Sequence, residues 1–191
     1  MKRNQVRIIA GVWRGRKISF PTAEGLRPTP DRVKETVFNW LAPHIVDSRC
    51  LDLFSGSGAL GFEALSRGAE YVVGIEQNGT IISNIHTNAE ALQAHSFEII
   101  KADSLLWLQN PKNAAKPFDI VFVDPPYRLK IIPQCFLLLE KNGFLKPNAL
   151  IQFESEEPIT LEDLPSSWEF LHQKKAGNVH YYLARCQAPD K

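Results

Sequence analysis

The chain has 191 residues, 44% of them hydrophobic and 23% charged, and its formal net charge is +1. These values are typical of a globular domain with a sizeable core, and no apolar run reaches the length of a membrane helix. The three cysteines (Cys50, Cys135 and Cys186) are widely spaced, which argues against disulfides or a zinc site and favours a cytoplasmic protein without bound metal.

Positive charge is concentrated at the amino end of the chain. Residues 1–34 hold nine Lys or Arg residues against two acids, so the remainder is acidic overall. A solvated face is one interpretation, and a surface that binds a polyanion is the other. Apolar residues alternate with the basic ones around Gly11 and Gly15, which predicts an ordered β-hairpin.

The next segment, TPDRVKETVFNWLAPH, predicts a helix that Asp31 caps and that ends before Pro43. Its apolar positions recur at helical spacing and predict a buried stripe, which consists of Val33, Val37, Phe38 and Leu41. We therefore expect residues 1–42 to form a basic extension that packs on a core domain of residues 43–191.

From residue 49 onward, short apolar runs alternate with amphipathic segments. Near-continuous apolar runs predict parallel strands buried on both faces, so the fold class is α/β with a doubly wound, mostly parallel sheet. Two further strand-like runs around Ala176 and Gly177 predict a C-terminal antiparallel hairpin, for seven strands in all. The other strands are predicted at 49–54, 71–76, 97–103, 118–124 and 149–154, and the helices at 58–66, 80–94, 105–109 and 131–142.

A glycine-rich turn follows the first of these strands. In LDLFSGSGALG, the residues Gly56, Gly58 and Gly61 have the G-x-G-x-x-G spacing. In a doubly wound fold, this turn brings the backbone close to a nucleotide-like ligand. The spacing alone is weak evidence, and it leaves a dinucleotide as one possible ligand.

Acidic residues at the ends of three strands help to separate the possible cofactors. Glu76 is placed to accept hydrogen bonds from ribose hydroxyls, although a solvated strand-end acid is the alternative. A carboxylate at Asp52 would repel a pyrophosphate but suits the ammonium and sulfonium groups of S-adenosylmethionine. Asp103 could accept from an adenine amino group. The three acids favour S-adenosylmethionine, although Asp52 could instead hold the glycine amides.

The fourth strand runs into Asp124-Pro125-Pro126-Tyr127. Two prolines make a stiff exit from the strand, because each fixes φ and lacks an N–H. The Asp124 carboxylate and the Pro125 carbonyl could bind the N–H groups of an exocyclic amine and direct its lone pair at a methyl group. Tyr127 could stack on an extruded base. The alternative is a proline-rich turn in which Tyr127 only packs.

Together these motifs resemble the S-adenosylmethionine-dependent amino-methyltransferases of nucleobases. The similarity lies in LDLFSGSGALGFEALSRGA, VVGIEQN, KADS and FVDPPY. Two upstream blocks, RIIAGVWRGRKI and RPTPDRVKETVFNWL, resemble one branch more closely, the D type of bacterial small-subunit ribosomal RNA guanine-N2 methyltransferases. The resemblance covers essentially the whole chain and implies a class I, Rossmann-like methyltransferase fold.

The resemblance also implies roles for individual residues and a partner. The partner is 16S ribosomal RNA, free or within an assembling or assembled small subunit, and the enzyme is expected to be a monomer. The implied cofactor-binding residues are Arg27, Thr29, Asp52, Phe54, Gly56, Gly58, Glu76, Asp103 and Ser104. The flipped guanine would contact Asp124, Pro125, Pro126 and Tyr127, and RNA would contact Arg7, Trp13, Arg14, Arg16 and Lys17.

Three other functions compete with this one. A DNA adenine-N6 methyltransferase shares the D-P-P-Y motif, but the chain shows no separate target-recognition domain. An NAD-dependent oxidoreductase would need a proton-transfer residue, and neither a Tyr-x-x-x-Lys motif nor a well-placed His is evident. A non-catalytic RNA-binding protein would not need the acids or the D-P-P-Y motif.

Overall fold

The computed structural model describes residues 4–22, 30–126 and 131–187. Two short strands, β1 (Asn4–Arg7) and β2 (Lys17–Phe20), precede helix α1 (Asp31–Leu41). Strands and helices then alternate, and the chain closes with β8 (Trp168–Ala176) and β9 (Val179–Cys186). The alternating elements are β3 (Arg49–Asp52), α2 (Ala59–Ser66), β4 (Tyr71–Glu76), α3 (Gly79–Leu92), β5 (Phe97–Lys101), α4 (Ser104–Gln109), β6 (Phe118–Val123), α5 (Ile132–Lys141) and β7 (Leu145–Ser155).

The central sheet has seven strands in the order β5-β4-β3-β6-β7-β9-β8. Strand β3 pairs in parallel with both β4 and β6, whereas β7 pairs antiparallel with β9. The predicted doubly wound fold and its C-terminal hairpin are therefore confirmed. Because the chain leaves β3 towards β4 and later returns to β6, the crevice between β3 and β6 is the switch point at which such folds bind ligands.

Predicted element boundaries agree with the structure to within a few residues. Two strands end two residues earlier than predicted, β3 at Asp52 and β5 at Lys101. The residues beyond them already belong to the turns that lead into α2 and α4. Strand β7 begins earlier than predicted, at Leu145, which pairs with Phe118 across an irregularity in the ladder.

Helices cover both faces of the sheet. Helices α1, α2 and α3 share a buried cluster with Val72, Ile120 and Phe122, and α4 and α5 share another with Val73 and Val121. This division follows from the alternation of side chains along a strand. None of the helices within the described ranges is long and apolar enough to cross a membrane.

The amino-terminal hairpin is confirmed, and it docks on α2 through buried polar groups. The carboxylate of Glu63, which is fully buried, accepts the backbone N–H of Ile9 at 2.7 Å and of Ala10 at 3.1 Å. The Ser66 hydroxyl donates to the Ala10 carbonyl at 2.6 Å and accepts the N–H of Trp13 at 3.0 Å. These bonds satisfy backbone groups of the hairpin loop that would otherwise be unpaired.

Helix α1 differs from the prediction at its start. The N-cap is Pro30, and no side chain caps the helix, so the predicted cap at Asp31 is wrong. Asp31 is the first helical residue, and its carboxylate pairs with Arg7 at 3.4 Å and Lys34 at 3.5 Å. Lys34 is buried with the predicted stripe, and its ammonium donates to the Arg7 carbonyl at 2.7 Å. Burial lowers the pKa of Lys34, and Asp31 opposes that shift.

Substitution of Gly11 by alanine is expected to destabilise the protein far more than the same change at Gly15. Both glycines have positive φ, +81° and +82°, and the alanine would be strained at either position by about 1–2 kcal/mol. A Cβ at Gly11 would also lie 1.7 Å from the Ser66 carbonyl oxygen, whereas at Gly15 it would meet nothing within 4 Å. Urea unfolding of the two variants measures the difference, and equal losses would contradict the docking.

Candidate active site

Four acids lie at the carboxyl ends of adjacent strands, and we call this region the carboxyl edge. In sheet order they are Asp103, Glu76, Asp52 and Asp124, which end or follow β5, β4, β3 and β6. The topology therefore gathers acids that are spread over 73 positions of the sequence. Because the edge includes the switch point between β3 and β6, these acids lie where doubly wound folds bind ligands.

The glycine turn lies directly above the switch point. Gly56 and Gly58 have φ values of 50° and 76°, a region that favours glycine. The turn is held by the N–H of Ser55, which donates to the Ile75 carbonyl at 3.0 Å. Gly61 has another role, because a Cβ there would lie 2.5 Å from the ring of Phe97. Two glycines shape the turn, and the third allows α2 to pack closely.

Glu76 joins the glycine turn to the start of α3. One carboxylate oxygen accepts the N–H of Gly56 at 3.1 Å, and the other accepts the N–H of Asn78 at 2.8 Å. A carboxylate oxygen can accept more than one hydrogen bond, so both oxygens retain capacity for a ligand. Glu76 therefore shapes the turn, a role that the sequence did not indicate.

Asp52 is a buried carboxylate that the protein only partly satisfies. It is 2% exposed, and hydrogen bonds from the backbone of Gly61 and Phe54 lower its pKa. Burial, followed by the charges of Asp124 and Glu76, outweighs them and raises the pKa of Asp52 to about 7. Oδ2 has no hydrogen-bond partner in the part of the chain that the structure describes. A buried acceptor of this kind fits a cationic donor group on a ligand.

The remaining predicted cofactor residues within the described ranges have local partners. Asp103 is exposed and caps α4 by accepting the N–H of Leu106 at 3.0 Å. The buried Ser104 hydroxyl donates to the Leu53 carbonyl, which ties the ends of β5 and β3 together. Phe54 is half-buried and packs against the α4–α5 side of the core. These contacts hold the ends of the strands in position at the carboxyl edge.

The Asp-Pro-Pro segment leaves β6 beside Asp52. Asp124 is half-buried, Pro125 is buried and Pro126 is exposed. In the ladder between the two strands, Asp52 lies opposite Phe122, so Asp124 follows two residues further towards the edge. The charge of Asp124 contributes to the raised pKa of Asp52. Tyr127, Arg27 and Thr29 lie outside the described residues.

The structure does not bring the basic hairpin turn to the acids. The Arg16 guanidinium donates to the Ala91 carbonyl at 2.7 Å, near the end of α3. Helix α3 starts at the carboxyl edge and has 14 residues, so Arg16 lies about 20 Å from that edge. Arg14 is exposed on the same turn, and Trp13 is partly buried against the core. Arg7 and Lys17 face each other across the hairpin and are exposed.

The polar residues that dock the hairpin were not predicted from the sequence. Besides Glu63, Ser66 and Lys34, these include Asn88, whose amide exchanges two hydrogen bonds with the backbone of Ser19 at 3.2 and 2.8 Å. One signal was available, because Glu63 is the only charged residue in the otherwise apolar or small segment ALGFEALS. A charge in such a helix requires a buried partner.

Fold and site together define the class of the protein. A doubly wound sheet with a glycine turn and acids at the switch point is the architecture of nucleoside-binding, Rossmann-like proteins. Across residues 4–22, 30–126 and 131–187, no group of three or more His, Cys, Asp or Glu side chains could hold a metal ion.

Comparison with known proteins identifies the family. The model of the family described as Conserved hypothetical protein 95 matches residues 6–185. A protein from Haemophilus influenzae named ribosomal RNA small subunit methyltransferase D is 48% identical over 95% of this chain and 94% of its own. The chain therefore belongs to this family.

Solved structures agree with the assignment. The structure of yhhF from Escherichia coli is 45% identical, with a TM-score of 0.87 over 97% of this chain and 99% of its own. The structure of SMU.776 in complex with SAH is 15% identical, with a TM-score of 0.69 over 88% of this chain and 53% of its own. The latter likeness supports the fold alone.

Proposed function

We propose that this protein transfers a methyl group from S-adenosylmethionine to the N2 amino group of a guanine in 16S ribosomal RNA. The observation that carries the proposal is the adjacency of Asp52 and Asp124 on neighbouring strands. A buried, partly unsatisfied carboxylate suited to a cation lies beside a proline-stiffened acceptor suited to an amine. The name of the Haemophilus influenzae relative supports small-subunit ribosomal RNA as the substrate.

The residues of the carboxyl edge would hold the cofactor as follows. Oδ2 of Asp52 would accept from the ammonium group, Glu76 would accept from the ribose hydroxyls, and Asp103 would bind the adenine. Gly56 and Gly58 would allow close approach of the cofactor to the backbone because neither residue has a side chain. When bound, S-adenosylmethionine supplies an electrophilic methyl group on a sulfonium.

The Asp-Pro-Pro-Tyr segment would hold the acceptor base. The Asp124 carboxylate and the Pro125 carbonyl would accept hydrogen bonds from the two N–H groups of the guanine N2 amine. The nitrogen lone pair would then face the methyl group. Transfer of the methyl group from the sulfonium to this nitrogen, with loss of the S–C bond, would leave the amine positively charged, and the amine would then have to release one proton. The Asp124 carboxylate, as the proposed acceptor of an N2–H, would take this proton, and Tyr127 would stack on the extruded ring.

The basic extension of residues 1–42 would bind RNA at a distance from the reaction. Arg14 and Arg16 lie about 20 Å from the carboxyl edge, as estimated from the length of α3. Phosphates several nucleotides from the methylated base could reach them, and Arg7, Lys17 and Trp13 would add further contacts on the same extension. The partner would be 16S RNA within an assembling or assembled subunit, bound by a cytoplasmic monomer.

A direct assay tests the proposal. The purified protein is incubated with labelled S-adenosylmethionine and with small ribosomal subunits from cells that lack it, and the methylated nucleoside is identified by mass spectrometry. We expect N2-methylguanosine at one position of 16S RNA, and the same position unmodified in the deletion strain. Methylation of DNA adenine alone, or no transfer to either substrate, would refute the proposed substrate.

A further inference from the structure

Strand β7 carries two buried polar side chains where apolar ones would be expected. Gln152 is fully buried and Glu154 is 2% exposed, whereas their neighbours on the strand are Leu150, Ile151 and Phe153. Within the described residues, neither side-chain polar atom of Gln152 has a hydrogen-bond partner. Burial of an amide without hydrogen-bond partners is destabilising, so a polar residue at this position requires an explanation other than packing.

The sheet register places Glu154 level with Asp124. Strands β6 and β7 run parallel, with Phe122 opposite Gln152 and Val123 opposite Phe153. The next position places Asp124 opposite Glu154 on strands about 4.8 Å apart. Glu154 is therefore the nearest acid to Asp124 along β7, at the same carboxyl edge.

Side-chain alternation places the polar pair on one face of the sheet. Val123 and Phe153 belong to the core under α4 and α5, whereas Phe122 belongs to the opposite core. Gln152 and Glu154 therefore lie on the α1 side. Leu183 and Tyr181, their neighbours on β9, belong to that same core. The unsatisfied amide of Gln152 thus lies two residues before Glu154 on the same face of β7, and Glu154 lies beside the proposed amine site.

The Watson–Crick edge of guanine carries groups that would match Asp124, Glu154 and Gln152 in that order. Its N2 and N1 atoms carry hydrogen-bond donors, and O6 is an acceptor. With N2 held by Asp124, the adjacent carboxylate of Glu154 would accept from N1–H, and the amide of Gln152 would donate to O6. In adenine, by contrast, N1 is an acceptor and would face the carboxylate unfavourably.

We propose that Glu154 and Gln152 on β7 read the Watson–Crick edge of the flipped guanine and so determine base specificity. The proposal rests on the proposed function and goes beyond it, because it assigns the choice of base to residues outside the Asp-Pro-Pro-Tyr segment. A carboxylate that requires a donor at N1 excludes adenine, although Asp124 and Pro125 would accept either exocyclic amine.

The test compares two bases at the target position of the RNA. One RNA carries guanine, and the other carries 2-aminopurine, which keeps the N2 amine but has no O6 and an acceptor at N1. We expect the wild-type protein to methylate guanine at least about 10-fold faster. In Glu154→Gln, the new amide can donate to N1 of 2-aminopurine, so the rate ratio between the bases should shift by about 10- to 100-fold towards 2-aminopurine.

Two further variants complete the experiment. Glu156→Gln makes the same change at an exposed position and should leave both rates unchanged. Gln152→Leu should slow methylation of guanine but not of 2-aminopurine, and it should not lower the melting temperature. The effect of Gln152→Leu on the two bases also tests base reading by β7 if Glu154→Gln fails to fold.

The outcomes separate this proposal from the proposed function. If the wild-type protein methylates guanine and 2-aminopurine equally, or if the variants slow both bases by the same factor, base reading by β7 is refuted while the methyltransferase function stands. If the wild-type protein methylates no guanine in RNA, the proposed function itself fails.

Discussion

Replacement of Asp124 by alanine is expected to lower kcat for ribosomal RNA methylation by about 10²- to 10³-fold, the usual effect of removing one positioned electrostatic group. S-adenosylmethionine should still bind, because Asp52, Glu76 and the glycine turn belong to other strands. Single-turnover rates and calorimetric cofactor binding measure the two effects separately. The carboxylate is expected to act on the amine, so the loss should lie in the rate and not in cofactor affinity.

Two comparisons make the Asp124 result specific. Asp124→Asn keeps an acceptor oxygen, so it should retain more activity than the alanine variant. Asp119→Ala, at the other end of β6, removes a carboxylate that accepts from the Arg49 N–H at 2.8 Å and pairs with Lys146 at 2.7 Å. It should lower stability but not the rate of the folded enzyme. A near-normal rate in Asp124→Ala would refute the role of that residue.

Asp52→Asn is expected to stabilise the ligand-free protein above neutral pH. Burial, with the charges of Asp124 and Glu76, raises the pKa of Asp52 from 3.8 to about 7. The folded state then binds a proton that the unfolded state has released, so wild-type stability falls as pH rises through this window. The difference in unfolding free energy between variant and wild type should grow from about pH 4, reach at most about 4 kcal/mol, and stay constant above about pH 7.

Denaturant unfolding across this pH range measures the effect. Asp47→Asn, the same charge change at an exposed acid, serves as the control and should show no such trend. A constant difference between Asp52→Asn and wild type at all pH values would contradict the raised pKa.

Stability of the ligand-free protein favours a protonated Asp52, whereas affinity for S-adenosylmethionine should be higher when Asp52 is ionised. A bound ammonium group favours the carboxylate, so wild-type affinity for S-adenosylmethionine should rise as pH approaches about 7, by up to about 10-fold per pH unit, and should level off above it. Asp52→Asn should bind more weakly and lose this dependence. Calorimetric titrations measure both. Affinity that is equal in the two proteins would remove Asp52 from the cofactor site.

The fold was predictable because its signals are local. Buried parallel strands such as Tyr71–Glu76 are near-continuous apolar runs, and the helices between them show their own spacing. The prediction failed where one residue had two possible partners. Asp31 is a good helix cap by type, yet Pro30 occupies the cap position and the Asp31 carboxylate pairs with Arg7 and Lys34.

The site was only partly predictable for a related reason. The type and spacing of Asp52, Glu76 and Asp124 indicated that these residues bind a nucleoside. Their hydrogen bonds did not follow from the sequence, because Glu76 contacts Gly56, 20 positions away, and a side chain of this kind can satisfy either the protein or a ligand.

By itself, the sequence determined the order of strands and helices, the glycine turn, and the acids that end the strands, because each depends on neighbours within a few residues. Only the tertiary structure decided that Asp52 is buried beside Asp124, that Glu63 holds the hairpin, and that Arg16 lies far from the carboxyl edge. It also left Gln152 buried with no hydrogen-bond partner among the residues that it describes. Burial and distance depend on which distant segments of the chain come into contact, and the order of the strands in the sheet determines those contacts.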